Sequence, residues 1–245
     1  MQLTGKVAIV TGGGRGIGRA IARGYAAEGA KVAVAARTQE QVEAVAEEIR
    51  RRGGEAIAVP TDVTQEEQVE ALVQRTVETW GPVNILVNDA GVNPRGPFLE
   101  TAPEEWRQAF EVNVMGIVLC CRAVLPLMME NGGGHIINIG SGMGLVGHAN
   151  QSAYCASKAA VQALTQALAE EMWPYNILVN VLIPGPVKTE LSRPVWEPSG
   201  GGQDARFPSE RWKEPEEVVP AAIFLATQPP TGMTGQTLNL MRRSP

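Results

Sequence analysis

Tyr154 and Lys158, in the run S-A-Y-C-A-S-K, are four residues apart and would share one face of a helix, the ammonium within reach of the phenol. A free phenol titrates near about pH 10, and an adjacent cation favours the phenolate and lowers that value. The pair therefore reads as a proton donor and acceptor tuned toward neutrality. The same spacing also fits a surface tyrosine lying along a lysine stem, so other residues must decide. Ser141 follows directly on the apolar run Ile136 to Ile139, at the C-terminal end of an expected strand, where open parallel sheets bind ligands. Gly12, Asn88 and Pro184 fall at that same edge.

The glycine run T-G-G-G-R-G-I-G, Thr11 to Gly18, lies between the apolar stretch Val7 to Val10 and a helical-looking segment. A strand that breaks into glycines and restarts as a helix presents bare N–H groups and the positive end of a helix dipole, a place for phosphate. Gly12 would turn the strand sharply, Gly16 would let a pyrophosphate approach the backbone, and Gly18 would let the helix close on the sheet. Alone, the run is equally a glycine-rich turn without a ligand.

Positioning these residues requires alternating strands and helices. Short β-branched runs predict strands at Val7 to Thr11, Lys31 to Ala36, Ala56 to Pro60, Val83 to Asn88, His135 to Gly140, Ile177 to Ile183 and Gln236 to Leu240. Amphipathic stretches predict helices at Gly16 to Glu28, Gln39 to Arg52, Gln65 to Trp80, Glu104 to Glu130, Ser152 to Trp173 and Pro215 to Thr227. This is the pattern of βαβ units feeding one parallel sheet, within a single domain spanning 1–245. The long connection 186–214 carries Trp196, Phe207 and Trp212; it reads as a substrate lid or, equally, as a surface excursion that packs its own aromatics.

The 245 residues, 44% hydrophobic and 19% charged, suit a globular chain with a sizeable core. A net charge of -5 argues against nucleic acid or an anionic membrane as partner. No charged start precedes an apolar leader, and no run approaches about 18 uninterrupted apolar residues, so a cytoplasmic location is expected. Cys120, Cys121 and Cys155 lack metal-ligand spacing with His135 or His148; they are expected to be buried and no metal is expected. Helices 104–130 and 152–173 are apolar on more than one side, which predicts a homo-oligomer, dimer or tetramer, built on them.

Together these motifs resemble the short-chain dehydrogenase/reductase family over nearly the whole chain. T-G-G-G-R-G-I-G is similar to the family's T-G-x-x-x-G-x-G, N-D-A-G at 88–91 to its N-N-A-G, and Pro184-Gly185 with Thr189 to its P-G-x-x-x-T. Asn113, Ser141, Tyr154 and Lys158 match its catalytic tetrad. The resemblance implies a Rossmann-type, doubly wound α/β domain with a seven-stranded parallel sheet and helices on both faces.

It also implies roles. Tyr154 would be general acid in reduction and base in oxidation. Ser141 would hold the substrate oxygen, and Lys158 would hold the nicotinamide ribose while lowering the tyrosine pKa. Asn113 would bind a water linking Lys158 to solvent. Gly12, Arg15, Gly16, Ile17, Gly18, Asp62, Val63, Asn88, Ala90, Gly91, Pro184, Gly185, Val187 and Thr189 would line the cofactor, Asp62 meeting the adenine and Thr189 the carboxamide.

The second strand ends Ala35-Ala36-Arg37-Thr38, without the carboxylate that accepts from the ribose hydroxyls of NAD. Arg37, with Arg15, would instead pair with a 2′-phosphate, which predicts NADP(H) in preference to NAD(H). Asp89 replaces the second Asn of N-N-A-G; because that element acts mainly through backbone atoms, little effect is expected. The ending N-L-M-R-R-S-P departs from the family's V-D-G-G.

The expected activity is interconversion of a ketone and a secondary alcohol on a small carbonyl, sugar or polyol. Met143, Val146, residues 93–95, Trp196 and Trp212 are the expected substrate contacts, with His148 either a further contact or, the favoured reading, an exposed loop histidine. Reduction of 3-oxoacyl groups on acyl carrier protein is the alternative. It is weakened by Glu130, Glu170 and Glu171 where an acidic partner would need cations. A catalytically idle NADP(H) sensor or scaffold is a further alternative, of another class.

Overall fold

The structure is a computed structural model and describes residues 1–197 and 212–241. Strands β1 (Val7–Thr11), β2 (Lys31–Ala36), β3 (Glu55–Pro60), β4 (Ile85–Asn88), β5 (Gly134–Ile139), β6 (Ile177–Ile183) and β7 (Thr237–Asn239) form one sheet in the order β3-β2-β1-β4-β5-β6-β7. Every pairing is parallel. The order reverses between β1 and β4, whose ends are in register at Thr11 and Asn88, so the crevice of the sheet opens beside the glycine run.

Helices α1 (Gly16–Ala27), α2 (Gln39–Arg51), α3 (Glu66–Trp80), α4 (Pro103–Phe110), α5 (Gly116–Glu130), α6 (Ser152–Met172), α7 (Arg193–Trp196) and α8 (Val219–Ala226) connect the strands. Strand side chains alternate between two cores. Ala8 and Val10 face Ile21, Tyr25, Val42 and Leu225 beneath α1, α2 and α8. Ile9 faces Leu72, Ile117, Val124 and Val161 beneath α3, α5 and α6. Burial on both faces is why these strands read as unbroken apolar runs. Each fully buried Ile or Leu contributes about 1.5–3 kcal/mol.

The expected helix Glu104 to Glu130 is interrupted by a π-helical turn, Glu111–Met115. Asn113 lies inside it, fully buried, its amide spanning Val92 and Ser157. The extra residue lets that polar side chain point inward while the helix continues beyond it. The expected helix from Pro215 begins instead as a 3-10 turn, Pro215–Val218, capped where Glu214 N donates to Glu217 Oε1 at 2.9 Å. Strand ends differ from expectation by one or two residues, as hydrogen-bond patterns fray there.

By length and composition Pro103–Glu130 would suffice to cross a membrane, with mean hydropathy 2.0 over its most apolar window. Counting uninterrupted apolar runs missed this. In the fold its inner stripe, including Ile117, Cys120, Val124 and Met128, packs into the core with α3 and the sheet.

In the long connection, Val187 pairs with Lys213, and Trp196 donates to Thr189 O at 3.1 Å. Residues 198–211, with Phe207, lie outside the described residues.

Candidate active site

At the end of β1, Gly12 adopts φ +66°, and a Cβ there would lie 2.8 Å from Ala90 N. Only glycine allows the β1 turn and the N-D-A-G segment to approach so closely. Thr11 Oγ1 ties the two together, accepting from Asp89 N at 3.2 Å and Ala90 N at 3.4 Å. Helix α1 then starts with no side-chain cap from its N-cap residue Arg15; the Gly18 N–H is taken by the Asp89 carboxylate, which leaves those of Gly16 and Ile17 for an anion. Gly16 sits opposite Thr189, and Ile17, Gly91, Pro184, Gly185, Val187 and Thr189 line the adjoining cavity of about 640 Å³.

Ser141, Tyr154 and Lys158 line the same cavity. Ser141 follows β5 and caps a short 3-10 turn, accepting from Met143 N at 3.2 Å. Tyr154 and Lys158 sit one turn apart on α6, with Nζ 5.9 Å from the ring centre. Lys158 is buried and donates to Ile139 O at 2.7 Å, which holds it beneath the end of β5.

The electrostatics differ from the expectation that lysine makes the phenol more acidic. Burial is the largest influence on Tyr154 and pushes its phenol up to about 12, opposed by a hydrogen bond from Ser141. Burial likewise brings Lys158 down to about 8, with Asp89 acting against it. Desolvation, which disfavours the charged form of each group, dominates both shifts in this cavity.

Asp89 was expected to matter little, through backbone atoms alone; its side chain is engaged instead. Its Oδ2 accepts from Gly18 N at 2.8 Å, and burial raises its carboxyl to about 7. Asn113 is held by its side chain: Oδ1 accepts from Val92 N, while Nδ2 donates to Val92 O and Ser157 Oγ.

Other expected positions divide between the cavity and its walls. Asn88 points into the core, where Nδ2 donates to Asn138 Oδ1 at 2.8 Å, and Ala90 packs against the glycine run. Val63 is buried against Gly116. Arg37 and Asp62 line a second cavity of about 310 Å³, with the Asp62 carboxylate bound by Thr64 Oγ1 at 2.8 Å. Arg15 is exposed at the start of α1. Of the expected substrate contacts, Asn93, Arg95, Met143, Val146, His148 and Trp212 line the main cavity, but Pro94 and Trp196 do not, the Trp196 indole being tied to Thr189 O. Cys120 and Cys121 are buried, and burial raises both thiols.

Met241, after β7, lines the cavity and presses on Gly142 and Gly185. No motif marked it, because its position follows from the edge pairing of β7. Leu145, Leu191 and Val195 add apolar wall that the sequence likewise left unmarked.

The N–H groups of Gly16 and Ile17 at the start of α1, a turn that admits no side chain and an arginine at the end of β2 are suited to a phosphorylated dinucleotide. These features agree with the comparisons. The family model described as short chain dehydrogenase matches residues 6–200, and the chain belongs to this family. It is an oxidoreductase of the kind whose members act on keto and secondary alcohol groups.

A 3-oxoacyl-acyl-carrier-protein reductase of Synechocystis is 38% identical over 97% of this chain and 96% of its own. A 5-keto-D-gluconate 5-reductase of Escherichia coli is 34% identical over 97% and 94%. A gluconate 5-dehydrogenase of Burkholderia cenocepacia, solved with NADP and tartrate, superposes with TM-score 0.87 at 34% identity, covering 97% of this chain and 94% of that one. These relatives support use of a nicotinamide cofactor.

Proposed function

We propose that this protein is an NADP(H)-dependent reductase and dehydrogenase that interconverts a ketone and a secondary alcohol on a small polyhydroxy compound. The observation that carries the reading is one cavity wall bearing Ser141, Tyr154 and Lys158 beside the glycine run. When bound, the cofactor supplies or accepts the hydride. The protein holds the substrate oxygen with the Ser141 hydroxyl, and Tyr154 gives its phenolic proton to that oxygen during reduction. A phenol near 12 remains protonated at neutrality, which suits an acid better than a base. Lys158 supports the developing phenolate and holds the cofactor ribose, while Asn113 fixes the loop after β4 that carries Val92.

Gly12, Gly16, Ile17, Gly18, Ala90 and Gly91 would border the pyrophosphate and ribose. Asp62 and Val63 would border the adenine, and Pro184, Gly185, Val187 and Thr189 the carboxamide. Asn88 would support the glycine run from behind. Arg37 and Arg15 would hold a 2′-phosphate, which is the basis for preferring NADP(H).

The substrate reading rests on Arg95. It is exposed at the mouth of the cavity near Tyr154 and makes no ion pair among the described residues; partial desolvation lowers its pKa. A guanidinium without an ion-pair partner at the cavity mouth favours a carboxylate-bearing substrate, in keeping with the gluconate and tartrate in the relatives' descriptions. The 3-oxoacyl-carrier-protein reading has the Synechocystis relative in its favour. Exposed Glu130, Glu170 and Glu171 oppose docking of an acidic carrier. The protein would act in the cytoplasm as a homo-oligomer, covering the exposed Met115 and the alanines of α6. A panel of keto-acids, neutral ketoses and 3-oxoacyl thioesters, followed by NADPH absorbance, tests the reading. The expected order is keto-acid first, and turnover of thioesters alone would contradict it.

A further inference from the structure

The N-D-A-G segment places a carboxylate where the glycine run meets the catalytic helix. Asp89 receives the N–H of Gly18 at 2.8 Å, and a Cβ on Gly18 would lie 2.7 Å from the same oxygen. The loop and the carboxylate are therefore built around one another. Asp89 and Lys158 both line the main cavity, without the direct contact of an ion pair. They flank Gly91, where a Cβ would lie 3.8 Å from Asp89 O and 3.9 Å from Lys158 Nζ, and with Asp89 half-buried and Lys158 buried the attraction between their charges is screened less than on an open surface.

The charges facing this carboxylate come from identifiable elements. Helix α6 supplies Lys158 and, more weakly coupled, Tyr154; the loop after β4 supplies Arg95, which acts on Tyr154; helix α1 supplies the N–H of Gly18. The Asp89 charge opposes the effect of burial on Lys158.

We propose that Asp89 is a positioning residue, the counter-charge that keeps Lys158 protonated while its other role, receiving the Gly18 N–H, fixes the glycine run. Its effect on catalysis rests on the reductase reading above; its effect on Lys158 does not. Without the carboxylate, the ammonium is left buried beside a backbone carbonyl and gives up its proton at lower pH. Removing the same negative charge also lowers the phenol, which Asp89 otherwise raises. In the reduction direction both the ammonium and the phenol act in their protonated forms, so both shifts move the alkaline limb of activity to lower pH.

The test is Asp89→Asn, whose amide oxygen still accepts from Gly18. NMR of lysine labelled at Cε follows the Lys158 titration directly and needs no substrate. The midpoint is expected at about 8 in the wild-type protein and about one unit or more lower in the variant. The alkaline limb of kcat/KM for keto-acid reduction is expected to follow, a loss of roughly tenfold per unit on that limb, with KM for NADPH little changed. An unchanged lysine midpoint overturns the proposal whatever the enzyme turns over. A shifted midpoint without keto-acid reduction upholds the counter-charge and contradicts the reductase reading instead.

Should Asp89→Asn not fold, Lys158→Met gives the reciprocal reading. The carboxyl of Asp89, followed by carbon NMR, must then titrate higher than in wild type, and an unmoved carboxyl overturns the proposal.

Discussion

Tyr154 shows what a cavity does to a motif read by spacing. One helical turn brings its ring near Lys158, but burial raises the phenol while lowering the ammonium, so proximity alone does not make the tyrosine acidic. A bound dinucleotide, with its phosphates, alters that field further. At the end of β2, Arg37 faces the second cavity, and Arg37→Asp is expected to reverse cofactor preference. kcat/KM for NADPH should fall about 10- to 100-fold, as for loss of a charge-assisted contact worth about 1.5–3 kcal/mol, while that for NADH holds or rises. Steady-state kinetics with both cofactors checks this; an unchanged ratio would remove Arg37 from the phosphate site.

Among secondary-structure elements, the π turn matters most. Asn113→Ala would leave the N–H and C=O of Val92 without their side-chain partners and remove the Ser157 contact. Each buried group left unpaired costs about 1–3 kcal/mol, so urea unfolding should show a clear loss of stability together with reduced kcat. Full activity and stability would mean that water replaces the amide.

This element also marks where reading the sequence stopped. Strands and most helices were readable because β-branched runs and apolar periodicity are local properties, and the glycine run and the Tyr154–Lys158 spacing are local as well. The break at Glu111–Met115 was not, since it depends on Val92 and Ser157, far away in sequence. For the same reason the sequence showed Asp89 as a substitution but not its bond to Gly18, and gave no sign that Met241 reaches the cavity.

For the whole molecule, the sheet order places the ends of β1, β4, β5 and β6 around one crevice, and the second apolar sides of α5 and α6 face outward. Met115 at the π turn is 42% exposed, and Ala159, Ala163 and Ala167 of α6 are exposed as well. A homo-oligomer built on these faces predicts that Ala163→Arg combined with Met115→Lys shifts sedimentation from oligomer toward monomer. A wild-type chain that sediments as a monomer at micromolar concentration would contradict that assembly.

The central claim is that Tyr154 transfers the proton to the substrate oxygen, and single-turnover reduction by Tyr154→Phe preloaded with NADPH tests it most directly. The variant is expected to bind NADPH as wild type does and to lose about 10²- to 10⁴-fold in rate, the range for a general acid. Reduction at the wild-type rate would contradict the account.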